Sequence, residues 1–474
     1  MQEKEIRWKT SFLLFSIYLC LFIFLTGCDT GKTGIPDPPE PLPPLPPISD
    51  KLVARIYFDA TLSMQGFVTP GSTHYTRICP DLERVIVNGW KDETVNFFRF
   101  GEKVEPIDRS TYLQAGYESF YEQAHIFRKT YIEAVIRHEE QFDKVRREAS
   151  NTPEDATETD VNDTPEATIE GVTPTETVEV DSTENQLVVI VTDLFQDDSD
   201  ITLLINHLKE KYIQKGREVG LFGLRSQFDG TVYDIGIGEG SSLRYRSNSG
   251  DPETFRPFYL LVLGKHADIA HYFDLLKANN LNAKTVIFSR YLVSRLLSFD
   301  GASIEPDNLN NTTFISSEDP RLKQYEIVRS SDPAEISAKI KYVPLRHAMS
   351  FDATTLKDDP VPKYAPMGET KISLDAQKCL KVTSMVNEDG NELSVDFKLE
   401  SRDLESAVYL YEVTLRPGID TYRAPDWCSD WDMEEERDGS KTLNLVNFVQ
   451  SLSQVTAREH SPKIAIFHCY IEKR

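Results

Sequence analysis

The sequence has no excess of positive charge and few cysteines, and each shortage argues against a class of protein. Its 474 residues carry 52 Lys and Arg against 76 Asp and Glu, a formal net charge of −24. Because such a chain repels a phosphate backbone, we expect no nucleic-acid partner. The six cysteines include no CxxC pair and no Cys/His cluster, which argues against structural zinc.

Recognisable catalytic motifs are also absent from the sequence. There is no HExxH, no GxSxG and no phosphate-binding loop, and the nine histidines show no grouping of the catalytic-triad type. We therefore expect that the protein is not an enzyme. A surface or core position is the default expectation for every histidine.

Only one long hydrophobic run is present, and it lies at the N-terminus. Residues 1–27 begin with basic residues and continue as an uncharged apolar stretch, which is typical of a secretion signal. The residues Leu25-Thr26-Gly27-Cys28 resemble the lipobox of bacterial lipoproteins, in which the cysteine is acylated and the chain is cut just before it. An uncleaved transmembrane anchor is the alternative, since residues 10–28 are long enough to span a bilayer. Both interpretations place the chain at the bacterial cell membrane, on its extracytoplasmic face.

Two stretches of biased composition flank or interrupt the folded part. Residues 28–50 are a predicted stalk, because eight prolines between positions 35 and 48 favour extended polyproline II structure. Residues 149–185 contain eleven acidic residues, nine threonines and no Lys or Arg, a composition that predicts a disordered insert. Because the insert holds so many of the acidic residues, the folded surface is less acidic than the net charge suggests.

Four cysteines remain beyond the signal and the lipobox: Cys79, Cys379, Cys428 and Cys469. In an oxidising compartment they either form disulfides or stay as buried thiols. Four cysteines allow three complete pairings, and their spacing does not choose among these possibilities.

Residues 51–295 alternate between strand and helix patterns. Strands are predicted at Leu52–Phe58, Thr94–Phe100, Leu187–Thr192, Glu218–Leu224, Phe258–Leu263 and Thr285–Phe288. Helices are predicted at Pro80–Asn88, Tyr117–Arg147, Ile201–Lys215 and Ala267–Ala278. Because several strands are apolar on consecutive residues, we expect an α/β domain with a doubly wound, mostly parallel sheet and helices on both faces.

Residues 300–474 show shorter, alternating segments. Strands are predicted at Leu393–Leu399, Val408–Thr414 and Ile464–Ile471, and residues 442–453 predict one amphipathic helix. We expect a β-rich, sandwich-like second domain.

Oxygen-bearing side chains follow two strands of the predicted sheet. Asp59, Thr61 and Ser63 follow the first strand, and Asp193 follows the strand that begins at Leu187. Ligands of open α/β sheets bind beyond the carboxyl ends of the strands, and oxygen ligands suit a hard cation such as Mg²⁺. Three further aspartates, Asp197, Asp198 and Asp200, directly precede a predicted helix, so we assign them to capping rather than to a second metal site.

The Asp-x-Thr-x-Ser motif is followed by Met64 and Gly66, and in this context it resembles the metal-ion-dependent adhesion site of the von Willebrand factor type A family. Asp193 resembles the second aspartate of that family. The family also supplies a threonine from a loop before a helix, for which Thr130 matches best and Thr111 is the runner-up. Two residues depart from the usual pattern: Thr61 stands where serine is usual, and Leu194 where glycine is usual.

The resemblance implies a fold, a cofactor and a function. Residues 51–295 would form a type A domain that holds Mg²⁺, or Mn²⁺ or Ca²⁺, through the side chains of Asp59, Thr61, Ser63, Thr130 and Asp193. An acidic side chain of a protein partner would complete the coordination. The expected function is a lipid-anchored binding protein of the cell envelope, and the alternative is a structural envelope component with a vestigial metal site. A metal-assisted hydrolase is a remote alternative, because no general base accompanies the motif.

Overall fold

The computed structural model describes residues 45–122, 127, 129–150, 185–194, 201–233, 242–308, 312–315, 322–327, 333–352, 356–364, 371–372, 374–387, 390–433 and 438–473. The signal, Cys28, most of the stalk, residues 151–184 of the acidic insert and the aspartates at 197, 198 and 200 lie outside these residues. Among the described residues, no helix is both long enough and apolar enough to cross a membrane.

The described helices and strands are labelled here in chain order. The helices are α1 (Leu62–Gln65), α2 (His74–Gly89), α3 (Arg109–Tyr112), α4 (Ile132–Ser150), α5 (Ile201–Lys211), α6 (His266–Asn279), α7 (Leu374–Gln377), α8 (Asp426–Trp431) and α9 (Leu445–His460). The strands of the first half are β1 (Lys51–Asp59), β2 (Asp92–Phe100), β3 (Val104–Ile107), β4 (Gln186–Thr192), β5 (Glu218–Ser226), β6 (Asp229–Tyr233), β7 (Ser242–Arg246), β8 (Arg256–Gly264) and β9 (Lys284–Phe288). The strands of the second half are β10 (Ser303–Asn308), β11 (Thr312–Ile315), β12 (Leu322–Ile327), β13 (Ala334–Lys341), β14 (Ser350–Phe351), β15 (Leu356–Tyr364), β16 (Lys371–Ile372), β17 (Leu380–Val386), β18 (Glu392–Leu399), β19 (Ala407–Pro417), β20 (Tyr422–Arg423), β21 (Asp432–Met433), β22 (Thr442–Leu443) and β23 (Ala465–Lys473).

A seven-stranded sheet with the order β3-β2-β1-β4-β8-β5-β9 forms the centre of the first half. Strand β1 runs parallel to both β2 and β4, and its register with β4 extends from Val53 opposite Gln186 to Phe58 opposite Val191. Since the three strands point the same way, the residues that follow β1 and β4 emerge side by side at one edge of the sheet.

The sheet is mixed, so the expectation of a mostly parallel sheet is wrong. Strand β8 lies between β4 and β5 and is antiparallel to both, and β9 is antiparallel to β5. The apolar run in β8 indicates that both of its faces are covered, which is equally true of a central antiparallel strand. Burial therefore predicts the strand but not its direction.

Helices cover both faces of this sheet, as expected. Alternate residues of β1, including Ile56 and Phe58, share one hydrophobic cluster with residues of α2 and α6. Tyr57 points to the opposite face and joins a second cluster that includes residues of α4 and α5. This alternation follows from the two-residue side-chain period of a strand.

Several predicted helices have bounds that differ from those expected. The predicted helix Tyr117–Arg147 is divided: a single turn of 3₁₀ helix spans Glu118–Tyr121, and α4 begins only at Ile132. Tyr117, Phe120 and Tyr121 have the i, i+3, i+4 spacing of a helical stripe, but Tyr117 is exposed, whereas Phe120 and Tyr121 are buried in this short turn. The helix predicted at Pro80–Asn88 begins earlier, at His74, where Thr73 caps it, and Pro80 lies inside it.

The second half is β-rich, as expected, with a four-stranded sheet β10-β13-β18-β17 and a six-stranded sheet β11-β12-β23-β19-β15-β16. The two sheets meet through aromatic rings, since Phe397 of β18 and Phe467 of β23 have ring centroids 5.4 Å apart. The helix predicted at 442–453 is α9, which runs from Leu445 to His460. Residues from both halves share one hydrophobic cluster, so the chain builds part of its core across them.

Candidate metal centre

The residues after β1 turn sharply and bring three oxygen-bearing side chains together. Asp59 is the last residue of β1, and its Oδ1 accepts hydrogen bonds from the Thr61 backbone N–H at 3.0 Å and from the Thr61 hydroxyl at 2.7 Å. The Ser63 hydroxyl lies 3.0 Å from that of Thr61. This local turn is the kind that an aspartate favours after a strand.

Thr130 reaches the same point from a distant part of the chain. It lies in the loop before α4, and its hydroxyl is 3.1 Å from the Thr61 hydroxyl and donates to Asp59 Oδ2 at 3.1 Å. The runner-up, Thr111, lies in α3, where its backbone N–H is bound by Asp108 Oδ1 at 2.7 Å. Of the two threonines considered, Thr130 is therefore the one that contacts this group.

Asp193 closes the group from the neighbouring strand. It directly follows β4, and the Ser63 hydroxyl donates to its Oδ1 at the long distance of 3.5 Å. All five predicted site residues meet here, and none of them is more than 4% exposed: Asp59, Thr61, Ser63, Thr130 and Asp193. Two carboxylates and three hydroxyls thus converge at the carboxyl ends of β1 and β4.

Sequence reasoning missed two residues of this group. The Thr192 hydroxyl donates to Asp59 Oδ2 at 3.1 Å, and the Arg256 guanidinium pairs with Asp193 through Nη2 and Oδ2 at 3.3 Å. Thr192 is adjacent to Asp193, so the Thr-Asp pair at the strand end was a usable signal. Arg256 gave no such signal, because only the antiparallel direction of β8 brings its first residue beside the end of β4.

The charge of the group depends on the protonation of Asp59. Burial, and then the charge of Asp193, raise the pKa of Asp59 to about 7, although hydrogen bonds from Thr61 and Thr192 oppose the rise. Two carboxylates against one guanidinium leave a negative charge in a buried place when both acids are ionised. A divalent cation would reverse the sign of the site and hold Asp59 in its ionised form.

Leu194, which directly follows Asp193, has a left-handed backbone with φ of +58°. Its backbone N–H donates to the Thr192 hydroxyl at 3.2 Å. A left-handed conformation costs a leucine on the order of 1–2 kcal/mol, a strain that glycine avoids. The loop after β4 therefore has a conformation that suits glycine, although a leucine occupies the position.

The donor set fits a small octahedral cation. Neighbouring oxygens around Mg²⁺ at about 2.1 Å are separated by about 3 Å, the edge of an octahedron. The Thr61 hydroxyl lies 3.0 Å from that of Ser63 and 3.1 Å from that of Thr130. Within the described parts of the chain no group of three or more His, Cys, Asp or Glu residues is placed to hold a metal.

The four cysteines considered for pairing, Cys79, Cys379, Cys428 and Cys469, are all buried free thiols in the structure. Burial raises the pKa of the Cys469 thiol to about 12. Of the two possibilities left open by their spacing, the described residues show the buried thiols.

No protein-family model matches this chain, and the comparison with curated proteins finds no significant match.

Proposed function

We propose that this protein is a membrane-anchored, extracytoplasmic lipoprotein whose first half is a type A domain that binds a protein partner through a divalent metal ion. In this proposal Cys28 carries the lipid, and the protein resides at the bacterial cell membrane. Asp59, Thr61, Ser63, Thr130 and Asp193 bind Mg²⁺, or Mn²⁺ or Ca²⁺. The role is binding, not catalysis.

One observation carries the proposal: the hydroxyl of Thr130 lies within hydrogen-bond distance of both Asp59 and Thr61, although about 70 positions separate them. A local motif such as Asp-x-Thr-x-Ser can serve merely as a turn. The arrival of Thr130 and Asp193 from separate elements is not needed for a turn, but it is what a metal site requires. The parallel arrangement of β1, β2 and β4 under helices on both faces further supports a type A fold for this half.

The charge of the site argues for a partner that contributes an acid. With a divalent cation bound, two carboxylates and the Arg256 guanidinium sum to one positive charge. An acidic side chain from a partner neutralises that charge and supplies an oxygen ligand. Without the metal, the same acid would meet two carboxylates and be repelled.

Metal binding is tested by measuring the melting temperature of the full chain in detergent, with Mg²⁺ and with chelator. We expect Mg²⁺ to raise the melting temperature of the parent and to leave Asp59→Ala unchanged, because a ligand that binds only the folded state stabilises it by mass action. Thr111→Ala is the matched control and retains the shift. Equal shifts in the parent and Asp59→Ala contradict the metal site.

The Arg256–Asp193 ion pair favours a second candidate function. A guanidinium already neutralises one carboxylate, as expected of a structural envelope component in which the metal site is vestigial. In that case Mg²⁺ leaves the melting temperature of the parent unchanged. A pull-down from envelope extract, with and without chelator, then separates the two roles: only the first predicts a partner that is captured by the parent with metal and lost by Asp59→Ala.

A further inference from the structure

A segment of the C-terminal half lies against the Asp193 side of the candidate metal centre. A pocket beside Asp193 is walled by the first half at Leu194 and Arg256 and by the second half at Lys441, Leu445 and Phe448. Asp193 is 1% exposed. Residues 441–445 line this pocket and the Gly439 carbonyl contacts Arg256, and we refer to residues 439–445 as the cover segment.

Arg256 connects the cover segment to the centre. One amino group of its guanidinium, Nη2, contacts Asp193 Oδ2 at 3.3 Å. The other, Nη1, donates to the backbone carbonyl oxygens of Gly439 and Lys441, both at 3.1 Å. Arg256 is 4% exposed, so these are buried, charge-assisted contacts on both sides.

Two further contacts seat the cover segment on the first half. The Tyr259 hydroxyl donates to the Thr442 hydroxyl at 2.9 Å. Gly439 packs closely against Tyr245, where a β-carbon would come within 2.3 Å of ring atom Cγ. Only glycine allows this approach without a shift of the ring or the backbone.

We propose that the cover segment closes the metal centre and that cation binding loosens it, with Arg256 as the link. This inference rests on the proposed function and adds its regulation. The guanidinium and a divalent cation compete for the same carboxylate of Asp193, and the two positive charges repel each other at close range. A guanidinium displaced from Asp193 moves away from the two carbonyl oxygens as well, so the cover segment loses one of its attachments as the metal binds. By linkage, loosening the cover must in turn tighten metal binding.

The test follows amide hydrogen exchange of residues 439–445 in the full chain in detergent, with and without Mg²⁺, while calorimetry measures Mg²⁺ affinity. In the parent we expect Mg²⁺ to speed exchange in the cover segment by roughly fivefold or more. Gly439→Ala, which disturbs the seat without touching a metal ligand, is expected to exchange fast before Mg²⁺ is added and to bind Mg²⁺ about fivefold more tightly. Gly250→Ala is the matched control, because a β-carbon there meets only Asn248 Oδ1 at an ordinary 3.6 Å.

Thr442→Val provides a second variant with the same expected outcome if Gly439→Ala does not fold, since it removes only the hydroxyl that Tyr259 contacts. Mg²⁺ binding to the parent without faster exchange at 439–445 overturns the cover and leaves the proposed function standing. An unchanged Mg²⁺ affinity in a folded Gly439→Ala or Thr442→Val variant also overturns the cover and leaves the proposed function standing. Absence of Mg²⁺ binding in the parent and in both cover variants overturns the proposed function and the inference together.

Discussion

The Thr130 hydroxyl donates a hydrogen bond to Asp59 Oδ2 at 3.1 Å and so joins the loop before α4 to the end of β1. This contact distinguishes Thr130 from Thr111, which lies in α3 and donates its backbone N–H to Asp108 Oδ1, the cap of that helix. We therefore expect substitutions of the two threonines to differ in their effect on Mg²⁺ affinity.

We expect Thr130→Val to weaken Mg²⁺ binding by roughly 10–100-fold, because the variant loses one oxygen and one contact that orients Asp59. Valine has nearly the shape of threonine, so the packing before α4 is retained. Calorimetric titration of Mg²⁺ measures the effect, and Thr111→Val is expected to match the parent. If both variants lose Mg²⁺ affinity equally, or if neither loses any, Thr130 is not part of the site.

Much of this group could be predicted from the sequence, because strand ends and side-chain chemistry are local properties. Asp59, Thr61 and Ser63 follow an apolar strand, and Asp193 follows another, so the position of each at a sheet edge is encoded nearby. Arg256 could not be predicted in this way. Its place depends on β8 running antiparallel between β4 and β5, which is a choice of topology that burial alone does not determine.

The division of the predicted helix Tyr117–Arg147 has a similar physical origin. Tyr117, Phe120 and Tyr121 have the i, i+3, i+4 spacing of a helical stripe, but the Tyr121 hydroxyl contacts that of Tyr75 at 2.8 Å and holds the short turn against α2. A tertiary contact thereby overrides the local pattern. The break leaves Thr130 in a loop, where its hydroxyl reaches Asp59.

A buried ion pair secures the helix that follows Thr130. Arg55 of β1 donates to both oxygens of the Glu139 carboxylate of α4, at 2.7 and 2.6 Å, and the Tyr57 hydroxyl also contacts that carboxylate. Removing one partner leaves the other buried and uncompensated, so we expect Glu139→Leu to cost roughly 3–5 kcal/mol of unfolding free energy. Denaturant unfolding measures this cost.

The double variant Arg55→Met/Glu139→Leu is the control for this ion pair. It removes both charges, so we expect it to regain most of the stability lost in Glu139→Leu. The single variant Arg55→Met completes the comparison. If the stability losses of Glu139→Leu and Arg55→Met simply add in the double variant, the two residues are not coupled and the pair does not hold α4 against β1.

Because the four cysteines are buried as free thiols, the result of a thiol titration can be predicted. Cys79, Cys379, Cys428 and Cys469 are unpaired, and burial raises the pKa of each, so the reactive thiolate is scarce in the folded protein. In the mature lipidated chain we expect little reaction with a thiol reagent under native conditions and four reactive thiols in denaturant without reductant. A count of two or none in denaturant indicates disulfides and contradicts this arrangement.

Glu218 makes the stability of the fold depend on pH in a direction that can be calculated. Its carboxylate lies at the start of β5, accepts from Arg290 Nε at 3.1 Å and is 3% exposed. Burial raises its pKa from 4.5 to about 7, despite the opposing charge of Arg290. Between these two values the folded state holds a proton that the unfolded state has released, so stability falls as the pH rises from about 4.5 to about 7.

The variant Glu218→Gln keeps the shape of the side chain and removes this proton. At about 1.4 kcal/mol per pKa unit, we expect the parent to lose roughly 3 kcal/mol relative to the variant between pH 4.5 and pH 8. Burial lowers the pKa of the neighbouring His266 from 6.5 to about 4. Between these values the unfolded state holds a proton that the folded state has released, so His266 makes the stability rise with pH. The variant should therefore show the rising trend of His266 without the fall due to Glu218. Denaturant unfolding measures the unfolding free energy of both proteins across this pH range. If the two free energies change with pH in parallel, Glu218 is already ionised in the folded protein at pH 5 and its pKa is not raised.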